Sequence, residues 1–347
     1  MARHTIDEEA RFARPTKRGS RPRSKQRPQH ADALTGLVIG VDRGRYRLMV
    51  GEGTDDEREV IAMKARELGR TRAVVGDRVD IVGDASGDEG TLARIVRIQD
   101  RASVLRRTAD DTDPYERIVV ANADQLVVVT ALAQPEPRTG MIDRCVVAAY
   151  DAGMHVLLCL TKADLADPAP LHDLYEPIGV SVVVTRYDDA ASVEEVRSRL
   201  VGRRSVFVGH SGVGKSTLIN ALVPDARRAI GDVNDVTGRG RHTSTSAVAL
   251  RLPVAPSGAK HDGWVIDTPG VRSFGLAHVE IDHVLAAFED LDEVADGCPR
   301  GCTHLDDAPD CALDEWVEAS SDDETRAARG ARLASFRRLL ASRSVAD

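Results

Sequence analysis

The sequence reads as a multidomain α/β protein: a small N-terminal β-barrel, an α/β domain built on a parallel sheet, and a short C-terminal module of helices. Three observations predict this. Four or five short β-type runs separated by turn residues fill Leu37 to about Arg107. Apolar strands then alternate with helical patterns as far as Asp267. Finally, three cysteines and a histidine crowd into residues 298 to 311.

Composition bounds the possibilities. A chain of 347 residues holds two or three domains, and 42% hydrophobic content is enough to build their cores. No apolar run approaches the roughly 20 residues of a membrane span, and the arginine-rich N-terminus carries no apolar signal core. The expectation is a cytoplasmic protein without a membrane partner. Three of the five cysteines sit in the 298–311 cluster, which favours metal binding over a disulfide framework.

Residues 1–32 read as a disordered basic arm. Residues 1 to 30 carry nine Lys/Arg against three acids, a formal charge of +6 that leaves −14 for the rest of a chain whose total is −8. Basic arms on acidic bodies hold nucleic-acid phosphates by releasing counterions; the plainer alternative is a solvated tail. Residues 33–108 are expected to form an OB-fold, from the runs LVIGVDRGRYRLMVG, EVIAMKA, AVVGDRVDIVG and TLARIVRIQDRASVLRR. Arg94, Arg97, Arg101, Arg106 and Arg107 would give the last strand and its exit a basic edge, or ordinary solvated surface.

Residues 109–276 carry the α/β pattern. ADQLVVVTAL is a near-continuous apolar run of the kind buried in a parallel sheet. Met141, Ile142, Cys145, Val146 and Ala149 follow at helical spacing, which makes Cys145 a core residue. The strand MHVLLCL ends at Thr161-Lys162-Ala163-Asp164, at the strand end where α/β sheets place ligand contacts. SVVVT, residues 181 to 185, is a third strand, and a helix from Val193 to Leu200 leads back into the sheet.

The run SVFVGHSGVGKSTLINAL, residues 205 to 222, has the most specific chemistry. A β-prone segment delivers Gly209-His210-Ser211-Gly212-Val213-Gly214-Lys215-Ser216, followed by Thr217 in the helix, and so satisfies G-x-x-x-x-G-K-[ST] between a strand and a helix. Glycines allow consecutive backbone N–H groups to curl round a phosphate at a helix N-terminus, where unpaired donors and the helix dipole favour anions. Lys215 then reaches the outer phosphates and Ser216 offers its hydroxyl to Mg²⁺. Asp232 to Ser246 is glycine-rich and polar, the composition of a mobile loop. The strand WVIDTPG brings Asp267 beside the phosphate loop, where it can hold Mg²⁺ through water, and Gly270, whose N–H can meet a γ-phosphate.

Together, GHSGVGKS, the D-x-x-G run Asp267 to Gly270 and the N/T-K-x-D box Thr161 to Asp164 resemble the signature set of the P-loop GTPases. The box precedes the phosphate loop instead of following D-x-x-G, so the domain resembles a circularly permuted GTPase. With a barrel upstream and a Cys/His cluster downstream, the chain resembles the ribosome small-subunit-dependent GTPases of the RsgA (YjeQ) family over roughly residues 35 to 340.

That resemblance implies a set of roles. Asp164 matches the guanine-reading aspartate, and a carboxylate can accept from both N1–H and the exocyclic amine of guanine, a pattern adenine lacks. Thr161 stands where Asn is usual, Lys162 packs along the base, and Thr185 and Arg186 fall in the last base-contacting loop. GRGRHTST matches the family's G-x-x-H-T-T run, so Thr243 or Ser244 gives a switch hydroxyl to Mg²⁺. The residue after D-x-x-G is Val271, which cannot hydrogen-bond an attacking water, and His242 becomes the catalytic candidate.

Residues 277–347 read as a helical zinc-binding module. Cys298, Cys302, His304 and Cys311 offer three thiolates and an imidazole, a set suited to one structural Zn²⁺ per chain. Against the family pattern C-x4-C-x-H-x5-C, the first gap is a residue shorter and the last a residue longer. Helices are expected at Val279 to Leu291 and Asp322 to Leu340, with Arg329, Arg332, Arg337 and Arg338 either solvated or facing RNA.

The expected protein is a monomeric, Mg²⁺-dependent GTPase that binds GTP and GDP. Resemblance implies that it acts late in maturation of the small ribosomal subunit, binds its rRNA, and leaves on hydrolysis. The alternatives are a P-loop kinase or metabolic NTPase, and a non-catalytic RNA-binding scaffold.

Overall fold

The computed structural model describes residues 30–107, 117–224, 226, 247–253, 263–268, 274–276 and 279–342. Asp32–Asp347 forms one compact unit distinct from Met1–Ala31. The expected arm therefore lies outside the described residues, apart from its last few positions.

The barrel comes first. Strands β1 (Leu34–Asp42), β2 (Arg45–Val50), β3 (Arg58–Lys64), β4 (Arg78–Gly83) and β5 (Ala93–Ile98) run in the order β1-β2-β3-β5-β4. β4 pairs back onto β1 from Leu34↔Ile81 to Leu37↔Arg78, which closes the ring. The β3–β5 pairing is parallel and the others are antiparallel. Five strands closed in this Greek-key order form the OB-type barrel. Inward positions alternate along each strand, as a pleated strand requires: Tyr46, Leu48 and Val50 on β2, Val60 and Ala62 on β3, Val79 and Ile81 on β4, Ala93 and Ile95 on β5. The β1–β2 turn is Arg43-Gly44, both at positive φ, the combination a two-residue hairpin turn matched to strand twist demands.

A ribbon of β6 (Val104–Arg107) and β7 (Arg117–Ala121) leads out of the barrel. The α/β sheet that follows comprises β8 (Gln125–Ala131), β9 (His155–Thr161), β10 (Ser181–Val184), β11 (Arg204–Val208), β12 (Val248–Arg251) and β13 (Trp264–Asp267), in the order β10-β9-β8-β11-β13-β12. All pairs are parallel except β12–β13. Its helices are α1 (Thr139–Asp151), α2 (Ala169–Tyr175), α3 (Ala190–Leu200) and α4 (Lys215–Leu222).

The continuous apolar character of β8 is explained by burial on both faces. Leu126 and Val128 point into a core shared with α1, while Val127 and Val129 point into a second core with Val196, Leu200, Leu218 and Leu222 of α3 and α4. Cys145 lies in the first core, and burial pushes its thiol up to about 12, which makes it inert.

The barrel and this sheet are continuous, because β1 pairs with β12 at Gly40↔Val248. The β2–β3 loop is fastened to the same edge: the Trp264 indole N–H donates to Glu52 at 2.6 Å, and Arg251 pairs with Glu57 while lying over the Trp264 ring.

The C-terminal helices are α5 (Ile281–Leu285), α6 (Glu289–Ala295), α7 (Ala312–Glu318) and α8 (Asp323–Ala341). The single helix expected over Val279 to Leu291 is broken at Ala286 to Phe288. The break seats the fully buried Phe288 ring edge-on between Tyr150 of α1 and Phe336 of α8. Asp322 caps α8, its carboxylate accepting from the Thr325 N–H at 2.8 Å. Two adjacent α1 residues fix this module. Buried Arg144 donates to the Phe274 carbonyl (2.9 Å) and the Ser342 carbonyl (2.8 Å), and Asp143 accepts from the Tyr175 hydroxyl while facing Arg338.

The arginines offered as RNA contacts are used internally. Arg332 pairs with Asp290, Arg337 with Asp314, Arg338 faces Asp143, and Arg329 stacks over Trp316. On the barrel, Arg101 makes a two-pronged pair with fully buried Asp77, and Arg97 pairs with Asp80. Each of these two answers an acid that burial would otherwise leave uncompensated.

Candidate nucleotide-binding site and metal centre

Three motif segments and the loop after β10 lie at one edge of the sheet, the carboxyl ends of its parallel strands. The loop Gly209–Gly214 runs from β11 into α4. Gly209 has to be glycine, because a Cβ there would lie 2.6 Å from the Val129 carbonyl oxygen of the neighbouring strand. Gly214, at φ +92, has the left-handed backbone that sets the first turn of α4, whose Leu218 N–H bonds the Gly214 carbonyl at 2.9 Å. Ser211 and Thr217 are exposed around this turn, Gly212 and Ser216 lie beside them, Val213 is buried, and His210 Nδ1 lies 3.0 Å from the Ser211 carbonyl.

At the end of β13, the Asp267 carboxylate pairs with the Lys215 ammonium. Both side chains are largely shielded, so the positive and negative groups of the phosphate side face one point between β11 and β13. Thr268 is buried and donates to the Phe207 carbonyl at 2.7 Å, which ties the exit of β13 to the strand feeding the phosphate loop.

The base box sits at the end of β9. Thr161 is buried, and its hydroxyl donates to the Val213 carbonyl at 2.5 Å. A threonine at this position thus tethers the box to the phosphate loop. Lys162 takes a left-handed backbone (φ 57) and its ammonium meets the Gln134 carbonyl. Asp164 is exposed on the turn closed by the Leu165 N–H to Lys162 carbonyl bond, and its carboxylate makes no hydrogen bond among the described residues.

A cleft of about 280 Å³ opens here, lined by Thr161, Lys162, Asp164, Gly214 and Thr217 among others. The loop after β10 contributes Thr185 and Tyr187. Arg186, expected in the last base-contacting loop, makes a two-pronged pair with Asp188 at 3.1 Å. Tyr187 was not legible in the sequence, because its loop carries no fixed motif. Gly270, His242, Thr243 and Ser244 lie outside the described residues.

The second centre is at the C-terminal module. Ligand atoms of Cys298, Cys302, His304 and Cys311 all lie within 4.8 Å of one another. Cys298 Sγ is 3.9 Å from Cys311 Sγ and 3.6 Å from His304 Nδ1, and Cys311 Sγ is 3.8 Å from His304 Nδ1. A tetrahedral ion with metal–sulfur bonds of roughly 2.3 Å and metal–nitrogen bonds of about 2.0 Å demands separations of about 3.8 and 3.6 Å, so the cluster fits one ion. Backbone N–H groups of His304 and Ala312 point at Cys302 and Cys298 sulfur at 3.4 and 3.3 Å, and Arg337 donates to the His304 carbonyl. Such outer contacts orient metal ligands. Burial pushes the Cys311 thiol up to about 11 and the His304 imidazole down. Neutral imidazole and deprotonated thiolates are the forms that ligate a metal. The altered gaps are absorbed by left-handed turns at Gly301, His304 and Asp310.

Comparison with known proteins places these features together. The RsgA GTPase family model matches residues 98–277. The small ribosomal subunit biogenesis GTPase RsgA of Pseudomonas aeruginosa is 38% identical over 269 residues, 76% of this chain and 74% of that one. The protein of the same name from Chlorobaculum parvum is 31% identical over 304 residues, covering 85% and 95%. Among solved structures, YjeQ from Thermotoga maritima superposes with a TM-score of 0.59 at 25% identity, covering 89% of this chain and 99% of that one. YloQ, described as a circularly permuted GTPase, gives 0.61 at 24% identity, covering 91% and 96%.

Proposed function

The chain belongs to the RsgA GTPase family, and from that premise we propose that it binds and hydrolyses GTP in the maturation of the small ribosomal subunit. The observation that carries the reading is the convergence of the phosphate loop, Asp267 and the Thr161–Asp164 box on one strand-end edge, although the box comes first in the chain. Guanine sits in the 280 Å³ cleft with Asp164 on its edge. The phosphates lie over Gly209–Ser216, so Lys215 turns from Asp267 to the β- and γ-oxygens. Ser216, Asp267 and one hydroxyl of Thr243 or Ser244 would hold Mg²⁺, whose charge would offset that on the transferred phosphoryl group. Gly270 meets the γ-phosphate and His242 orients the attacking water. The working division is the arm 1–32, barrel 33–108, GTPase domain 109–276 and metal module 277–347.

Nucleotide turnover, measured with and without purified small subunits, tests the whole. A ribosome factor accelerates only when subunits are present. A scaffold turns over nothing, and a kinase requires a small-molecule acceptor.

The partner reading rests on charge as well as on the relatives. Nine basic residues in the first 30 make RNA contact steeply salt-dependent. Deleting residues 1–30 is expected to flatten the slope of log affinity for small subunits against log salt; an unchanged slope removes the arm from the phosphate contacts. No helix among the described residues is long and apolar enough to cross a membrane.

For the metal centre we propose zinc, one per chain. Three sulfurs and a nitrogen form a soft tetrahedral donor set that favours it over harder ions. Elemental analysis is expected to find about one equivalent, and Cys302→Ala to release it. Protease sensitivity should then rise in residues 280–342 with the sheet intact, because the core on the α3–α4 side of the sheet draws on no residue of that module. Full metal retention in Cys302→Ala would defeat the assignment.

A further inference from the structure

We propose that Tyr187 is a base-binding residue, its ring lying against the face of the purine whose edge Asp164 reads. The proposal rests on the nucleotide reading above and adds to it the group that supplies affinity independent of base identity.

Tyr187 is 82% exposed, whereas Tyr46 and Tyr175 are buried and Tyr150 is packed on Phe288. It is nonetheless not on open surface: it lines the cleft together with Lys162, Asp164 and Leu165, itself 46% exposed. A buried tyrosine covers roughly 150–250 Å², so one left in water at the mouth of a ligand cleft has its contact surface unspent.

The backbone beneath the ring is fixed. The Ser192 hydroxyl accepts from the Arg186 N–H at 3.0 Å and lies 3.1 Å from the Arg186 carbonyl, and Thr185 N–H bonds the Leu160 carbonyl at 2.8 Å. The loop therefore presents the tyrosine to the cleft, while Arg186 is paired with Asp188 and stays within electrostatic reach of Asp164.

Edge and face do different work. Asp164 separates guanine from other bases because its two acceptors match N1–H and the amine. A ring on the face does not discriminate, since every base has a π-face, but stacking raises affinity for all of them. Thr161 spends its hydroxyl on the Val213 carbonyl, so the box itself has little left for the base beyond Asp164 and the Lys162 stem.

The test is equilibrium binding of GDP and of inosine diphosphate, which lacks the 2-amine, to the full-length protein. Tyr187→Ala is expected to weaken both by the same factor, roughly 5- to 150-fold, leaving their ratio unchanged. Tyr187→Phe is expected to restore both. Tyr187→Trp should add a nucleotide-dependent fluorescence change absent from the parent, whose own tryptophans, Trp264 and Trp316, lie away from the cleft lining. Wild-type affinity in Tyr187→Ala, or no recovery in a folded Tyr187→Phe, overturns the proposal. Failure of the underlying reading looks different: the parent protein itself would bind neither nucleotide, or Asp164→Asn would leave the GDP-to-inosine ratio unaltered.

Discussion

Asp164→Asn is expected to lose GTP and gain xanthosine triphosphate. The wild-type carboxylate offers two acceptors at the rim of the base cleft, and no hydrogen bond among the described residues competes for them. Guanine presents two donors, N1–H and the 2-amine. Replacing one acceptor by an amide N–H sets donor against donor, and the buried edge of the base is left unpaired. Xanthine carries an oxygen at position 2, which the new donor satisfies. Two hydrogen bonds to a charged group contribute about 3–6 kcal/mol together, so the swing in the GTP-to-xanthosine ratio should be on the order of 10²- to 10⁴-fold. The check is competition binding against a labelled guanine nucleotide. An unchanged preference would remove Asp164 from the site. Because Asp164 is exposed and sits on a turn, the substitution should leave folding intact, and thermal unfolding of the variant provides the control.

The parts of this protein that were legible in its sequence are those where backbone geometry dictates residue type. Gly209 and Gly214 are required by a close carbonyl and a left-handed backbone, Lys-Ser follows at the helix start, and the Cys/His spacing fixes which atoms can meet. The strands of the sheet were equally plain, because burial on two faces makes them apolar throughout. What the sequence hid is non-local. The β1–β12 pairing that joins the expected barrel to the α/β sheet depends on partners far apart in the chain. The break at Ala286 to Phe288 was hidden because Val284, Leu285, Phe288 and Leu291 keep helical spacing across it. Its cause is the aromatic contact with Tyr150 and Phe336. Arginines that read as a basic edge or as surface that is solvated or faces RNA pair with the acids Asp77, Asp80, Asp143, Asp290 and Asp314, whose positions no linear pattern reveals. Tyr187 was missed for the opposite reason: its loop has no motif, and only the cleft identifies it.

His242→Ala is expected to leave GTP binding nearly intact and to remove most of the hydrolysis that small subunits stimulate. At the strand-end edge Lys215 and Asp267 pair with each other, the Thr161 hydroxyl donates to the Val213 carbonyl, and Thr268 donates to the Phe207 carbonyl. Val271, next after the D-x-x-G run, has no side-chain atom that can orient a water. The candidate proposed for that role is His242, which stands in the sequence beside Thr243 and Ser244, the proposed Mg²⁺ hydroxyls. An imidazole near neutrality can hold or accept a proton from the attacking water, a contribution of typically about 10²- to 10⁴-fold. Turnover without subunits should be slow, and docking on the small subunit should raise it. Single-turnover hydrolysis with and without subunits, alongside equilibrium binding of a non-hydrolysable GTP analogue, separates the steps. The expected pattern is unchanged analogue affinity with stimulated rates reduced roughly 10²-fold or more. A variant that binds the analogue and is stimulated in full would transfer the catalytic role to a group supplied by the ribosome.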